Sequence, residues 1–405
     1  MTRVKALLRR GLPPILAVVT ALIFGAVVIV LTDFNNLALI TTDPVAGIGG
    51  ALGGVINGYG AMISGAFGDP GRVVTAFQTG DVNDIATAIR PITETLVATT
   101  PLIFTGLAIA VSFRAGMFNI GGNGQVMMGA LGATLTAFTL QGQVPAFVIL
   151  LAALAASLLF GGFWGFIPGF LKARTGAHEV ITTIMLNYVA SQVLFFALGL
   201  DTLRQPGSTA PVSKNLSAFV DVPVIISLPA IRLDYSFVVA LITAGLVSLL
   251  LFRTTKGFEL RASGFNMTAA RYAGMSAGGS MMLAMAISGG LCGLAGGFLA
   301  VGTVGQLSLD LDGGIGFNAI ALALLAGLRP SGVVLAALLF GALTNGGKLM
   351  GIQSGIPFDL LLFIMALVIM FVAAPGLIRT IWRVKVAKPL PEVASVSAVV
   401  PGESA

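Results

Sequence analysis

Charge is scarce in this chain: Asp, Glu, Lys and Arg together make up 9% of its 405 residues, where a soluble domain carries about a quarter. So little charge cannot dress the surface of a water-soluble fold of this size. Cysteine is down to one, Cys292, set inside an apolar run, which excludes an intramolecular disulfide and leaves no thiol metal site. Histidine is also single, His178 beside Glu179. With no nucleophile, base and orienting group to combine and no cluster of metal ligands, no catalytic set is visible. A nucleotide site is missing as well. The nearest approach to a P-loop is GALTNGGKLM, from Gly341 to Met350, where the spacing fails and Leu349 stands where Ser or Thr would hold Mg²⁺. The chain is therefore expected to be no enzyme, to need no cofactor and to hydrolyse no ATP itself.

What is abundant is apolar surface. Hydrophobic residues form 56% of the sequence, its mean hydropathy is +0.99, and uncharged runs of about 20 residues recur along it. The fold class is an all-α polytopic membrane protein. Ten spans are expected, at roughly 12–32, 92–112, 117–140, 146–170, 179–200, 235–252, 278–301, 315–328, 331–349 and 357–375. The net charge of +6 does not mark a nucleic-acid binder, because the basic residues flank apolar runs and form no separate patch; the surroundings they face are membrane lipid. With a cytoplasmic N-terminus, 16 of the 22 Lys and Arg fall on the inside and 6 outside. That excess is the positive-inside pattern, and it puts both termini in the cytoplasm.

These spans imply a basic cytoplasmic N-terminus (1–11), a transmembrane domain (12–375) and a cytoplasmic, largely disordered tail (376–405) rich in Val, Ala and Pro. Within the transmembrane domain, 33–91 is expected outside the bilayer. It includes Pro44 to Gly68, uncharged and long enough to span, but counting it as a span would move most basic residues outside; it is read as an extracytoplasmic or re-entrant helical segment. Glycines recur at every fourth position in two spans: Gly161, Gly165 and Gly169, and Gly289, Gly293 and Gly297. Such stripes let helix backbones approach closely. GMFNIGGNGQVMMGALG in the third span and GGIGFNAIALALLAGLRP in the eighth share a Gly-rich start, an Asn and a small-residue run. Since the two spans run in opposite directions, the pattern fits an inverted repeat of five plus five spans, with coincidence among Gly-rich helices as the alternative.

Two stretches carry the functional signal. From Phe113 to Gly132 an apolar span opens with Asn119, Gly121, Gly122, Asn123, Gly124 and Gln125. Irregular backbone survives at membrane depth only where protein or a water-filled cavity surrounds it, so this is expected to be a broken, inward-facing helix at a solute pathway. The alternative is that the glycines pack and the amides satisfy loop backbone. The second stretch is the cytoplasmic loop from Arg253 to Gly279. There Asn266 can cap a helix over Met267 to Ala273, and Gly274 can stop it. Such a stub is too short to build a core and suits docking into another protein, or else lies on the headgroups. His178 and Glu179, at the entrance of the fifth span, suit either helix capping or gating, and Glu94 suits a solvated acid. A gradient-driven carrier would want an intramembrane acid to carry its coupling charge, and the spans hold only Glu94, Glu179 and Asp359, each within the first three residues of its span.

Together, FRAGMFNIGGNGQ (Phe113 to Gln125), HEVITTIMLNYVA (His178 to Ala190) and the loop residues Gly257, Arg261, Ala262, Gly264, Asn266, Ala269, Ala270 and Gly274 resemble the permease subunits of ABC importers. The superfamily is the one serving branched-chain amino acids, ribose and related sugars, and nucleosides, and the first two motifs look most like its nucleoside branch. The resemblance runs from about Glu94 to Pro375. It implies import by alternating access, a separate ABC ATPase subunit seated on the loop residues just named, a second permease chain, identical or paralogous, and an extracytoplasmic substrate-binding protein or lipoprotein. It also implies residence in the cell (inner) membrane. Asn119, Asn123, Gln125, Asn187 and Asn318 are the candidates for the polar lining of the pathway. A neutral amide lining suits a polar uncharged solute such as a nucleoside, with a simple sugar or branched-chain amino acid as the alternative. One residue departs from the pattern: members of this branch often carry Glu where this chain has Asn123.

Overall fold

The computed structural model describes residues 2–229 and 231–383. The chain starts with helices α1 (Thr2–Thr32), α2 (Phe34–Leu39), α3 (Pro44–Phe67), α4 (Pro70–Thr79) and α5 (Val82–Arg114). After an irregular stretch come α6 (Gly122–Leu140), α7 (Ala146–Thr175) and α8 (Glu179–Leu198), then a long loop, α9 (Ser236–Arg253), α10 (Thr255–Phe265) and α11 (Met267–Tyr272). Helix α12 (Ala277–Phe298) runs on as a π-helical turn (Leu299–Thr303), and α13 (Ile315–Leu325), α14 (Pro330–Ser354), α15 (Phe358–Ala373) and α16 (Pro375–Ile381) follow. Among the described residues the only β pairing is three isolated bridges.

The ten expected spans correspond to α1, α5 to α9 and α12 to α15. Seven of these are long and apolar enough to cross a membrane, and the exceptions are informative. The third span begins only at Gly122, the eighth has 11 residues, and α15 has 16. Helix α5 is longer than expected, at 33 residues, because Asp81 caps it by accepting from the backbone N–H groups of Asn83 and Asp84. The uncharged stretch 44–68 is helical, as expected, and unbroken over 24 residues. It packs along α1 and α14: Tyr59 donates to Leu22 O at 2.5 Å, and Asn345 Nδ2 donates to Gly65 O at 2.8 Å and to Pro91 O at 3.0 Å.

The glycine stripes of α7 and α12 face each other. A Cβ added at Gly161 would stand 2.5 Å from Gly289 O, one at Gly165 would collide with Met285 O, and one at Gly169 would lie 3.1 Å from Met281 O. Rising numbers on α7 meet falling numbers on α12, so the helices are antiparallel. On its other side α12 presses on α6, where Gly129 meets Gly293 and Gly296 meets Val126 O with no room for a side chain.

The pairing between helices has the form of an inverted repeat. As α12 lies on α7, so α5 lies on α14; as α12 lies on α6, so α5 lies on α13. Helices α5 and α12 meet antiparallel at the centre, with Phe104 stacked on Phe298 at 5.4 Å and Met117, just past the end of α5, clustered with Met281 and Met285. The outer helices break the pattern, because α1 lies along α15 whereas α9 packs on α5 and α14.

Two short pieces differ from expectation. The loop after α9 holds α10 as well as the expected stub. Thr254 caps α10 by accepting from Gly257 N at 3.0 Å, and its glycines are packing sites, not breakers. Residues 375–381, placed almost wholly in the tail by the sequence, form α16, and Trp382 Nε1 donates to Thr20 Oγ1 at 2.8 Å. That indole N–H finds a partner on α1, which fastens the chain end to the bundle. The disorder expected of the tail from 384 onward lies outside the described residues.

Candidate functional site

The site begins where the chain leaves helical geometry after Arg114. Gly116 has φ +74°, a conformation that favours glycine, and residues 115–121 run irregularly to the start of α6. A break of this kind strands backbone groups, and side-chain amides take them up. Asn119 Oδ1 accepts from Gly121 N at 2.9 Å and from Gln125 Nε2 at 3.2 Å, while its Nδ2 donates to Gln125 Oε1 and to Ser288 Oγ, each at 2.9 Å. Asn187 on α8 clamps the same segment, donating to Ile120 O at 2.9 Å and accepting from Gly124 N at 2.8 Å.

The second half of the site mirrors the first. Residues 304–314 are irregular, and Gly313 and Gly314 take positive φ before α13. Gly316, in the first turn of α13, touches Gly122, in the first turn of α6: a Cβ on Gly122 would lie 3.0 Å from Gly316 Cα. Two helix N-termini, each the positive end of its dipole, thus meet inside the bundle, one from each repeat. Asn123 bridges them, its Oδ1 accepting from Phe317 N at 3.1 Å. It shares with Gly314 O, also at 3.1 Å, an amide donor in the first turn of α13.

The five candidate lining residues therefore divide. Asn119 and Gln125 are fully buried and spend their amides on each other, on Ser288 and on the break. In this conformation they brace the broken helix and present nothing to a solute. Asn187 is half-buried and likewise spends both amide ends on the break. Asn123 and Asn318 are half-buried at the meeting of the two N-termini, and Asn318 makes no side-chain hydrogen bond among the described residues.

Each irregular segment is gripped from outside the bundle. Gly264 of α10 packs on the backbone of Arg114 to Gly116. Arg114 Nε donates to Leu328 O at 2.6 Å, and the Arg114 and Arg261 guanidinium groups lie 4.9 and 5.3 Å from the centre of the Phe252 ring. On the other side, the loop between α8 and α9 straps residues 305–307: Ser213 N donates to Leu307 O at 2.9 Å, Leu216 N to Gly305 O at 2.8 Å, and Gln306 Nε2 to Gln205 Oε1 at 2.9 Å. The strap is folded, not loose, and burial raises the carboxyl pKa of its Asp221.

The remaining loop candidates are placed as follows. Asn266 caps α11, accepting from Ala269 N at 2.9 Å, and Gly274 ends it with φ +79°. Gly257 packs on Leu250 O, and Ala262 is half-buried. Ala269 faces outward, between Phe265 and Tyr272 with 94% and 90% of their surfaces exposed, while Ala270 is buried at 3%. Glu179 pairs with Lys172 at 2.8 Å, which fits an anchored helix start, and His178 is exposed. Glu94, expected as a solvated acid, instead takes Arg232 through two bonds of 3.0 and 2.6 Å. Residues that the sequence reading missed include Ser288 and Ser213. Only Ser288, a hydroxyl within an otherwise apolar Gly-rich run, left a signal.

The family described as branched-chain amino acid transport system / permease component matches residues 92–373. The chain is 35% identical to the guanosine ABC transporter permease protein NupP of Bacillus subtilis, over 91% of this chain and 94% of that one. It is 33% identical to the nucleoside ABC transporter permease protein NupB of Lactococcus lactis (79% and 88%) and 33% identical to the glucose ABC transporter permease protein TsgB13 of Haloferax volcanii (69% and 75%). A multi-pass helical bundle with two broken helices meeting at their N-termini, matched by this family over 282 residues, is a transport component, and the chain belongs to the family of branched-chain amino acid transport system permeases.

Proposed function

We propose that the chain is the membrane subunit of an ATP-driven importer that moves nucleosides into the cytoplasm by alternating access. The observation that carries this is the paired break at Gly122 and Gly316, bridged by Asn123, in a chain whose matched relatives include guanosine and nucleoside permeases. Asn123 and Asn318 are assigned to the solute pathway, with Asn119, Gln125 and Asn187 holding its walls. The match to a glucose permease favours a simple sugar as the second reading. A gradient-driven carrier has less support, because Glu94 and Glu179 are both ion-paired and the third acid of the spans, Asp359, sits at the very start of α15 and not at membrane depth.

In this reading both termini are cytoplasmic, and α11 enters a separate ATPase subunit with Phe265, Ala269 and Tyr272 outward. Movement of α11 reaches the pathway through α10, whose Gly264 rests on the start of the broken segment. An extracytoplasmic binding protein acts on the opposite strap around Ser213, which holds the approach to α13. A second permease chain, identical or paralogous, completes the assembly.

The test is uptake of labelled guanosine by the assembled complex, with glucose and leucine as competitors. Guanosine should enter in an ATP-dependent way and resist both competitors; ATP-dependent entry of glucose alone would sink the nucleoside assignment. Asn123→Ala should lower uptake by about a few-fold, less than the worth of a whole hydrogen bond, because Phe317 N keeps Gly314 O. Ala269→Glu should strip the ATPase from the purified complex without changing the melting temperature of the permease. Ala270→Glu is no substitute for it, since Ala270 is packed inward.

A further inference from the structure

The surface beside the coupling helices holds a cleft of whose lining the transport reading uses only Arg261 and Gly274. A cavity of about 730 Å³ lies between the end of α9, α10 and the turn after α11, and Phe252, Arg253, Lys256, Phe258, Glu259 and Arg261 are among its lining residues. Three of the six are cations. The one acid, Glu259, is already held by Lys256 at 2.9 Å, which leaves the cleft with uncompensated positive charge. Arg261 is stacked against Phe252 at 5.3 Å, so one of its faces is fixed.

The membrane-spanning helix that leads to the cleft shows what would fill it. Ile242, Leu246 and Leu249 are exposed, and with Arg253 they follow the spacing i, i+4, i+7, i+11. That spacing puts all four on one face of α9. An exposed apolar stripe on a membrane helix faces acyl chains. This one runs about 16 Å and ends at a guanidinium on the rim of a cationic cleft.

We propose that the cleft binds the phosphate headgroup of an anionic phospholipid whose acyl chain lies along the α9 stripe. Basic clefts at the ends of membrane helices take such headgroups through charge and hydrogen bonding together. The site needs only that α9 spans the bilayer, so it stands or falls apart from the identity of the transported solute. Its position against α10 places a lipid in contact with the element that presses on the broken segment.

The experiment is native mass spectrometry of the complex purified in mild detergent, with phosphatidylglycerol and phosphatidylcholine offered in equal amounts. Wild type should retain phosphatidylglycerol over phosphatidylcholine by on the order of tenfold, and the double variant Arg253→Gln with Lys256→Gln should lose that preference. Glu259→Gln, which releases Lys256, should raise retention, and it keeps the test open if the double variant folds poorly. Inorganic phosphate at millimolar concentration should not displace the lipid. No preference in wild type, unchanged preference in the double variant, or no rise with Glu259→Gln overturns the proposal. So does displacement by phosphate alone, which would make this a simple anion site. A double variant that keeps its lipid but sheds the ATPase would reassign the cleft to that partner's acidic surface.

Discussion

Gly293→Leu should abolish the folded bundle, whereas Gly245→Leu should leave it as it is. Gly293 sits where three helices cross. A Cβ there would run into Ser157 O and stand 3.0 Å from Gly161 Cα, while Gly129 of α6 closes the opposite side. The obstacles are backbone atoms of α7, so no rotamer can relieve the clash; α12 must part from α7, and with Gly129 closing the other side it can do so only by pressing on α6. Overpacking a core by flexible side chains costs about 1–3 kcal/mol, and parting two backbone seams costs more, against a total stability of about 5–15 kcal/mol. Gly245 lies on α9 with nothing within 4 Å of an added Cβ and serves as the control. The readout is the monodisperse fraction on size-exclusion chromatography of fluorescently tagged protein. A wild-type profile for Gly293→Leu would mean that the α6, α7 and α12 seams are not tight.

The sequence showed a great deal of this fold, for physical reasons. Spans were legible because a bilayer demands uninterrupted apolar length, and the stripes at 161–169 and 289–297 because only glycine allows backbone contact along a face. The stub at Met267 was legible in its caps, since Asn266 and Gly274 are the residues that helix ends require. Helix α10 was hidden because its composition reads as a loop: Gly257 and Gly264 look like breakers until Leu250 O and Arg114 O are seen against them. The amides were the hardest part. An Asn at a broken helix has the same donors and acceptors whether it faces a solute or the protein, and the partner that settles Asn119 is Ser288, 169 residues away. Asn123 and Asn119 are only four residues apart, yet one bridges the two repeats and the other braces one break.

Asn119→Leu should be the most damaging change at the break itself. It removes the acceptor for Gly121 N and Gln125 Nε2 and the donor to Gln125 Oε1 and Ser288 Oγ. The four groups left behind are buried, and each unpaired one costs about 1–3 kcal/mol, so the loss of stability should be roughly 4 kcal/mol at the least. Melting temperature and uptake should both collapse. Adding Gln125→Met should recover part of the loss, because an apolar pair leaves fewer stranded groups than one amide without its partner. That non-additivity separates the two roles an Asn can have here. A residue that only touched the solute would change uptake and leave the melting temperature alone, and its effect would add to that of Gln125→Met. A residue that holds the break lowers the melting temperature first, and its loss is partly undone when its partner goes too.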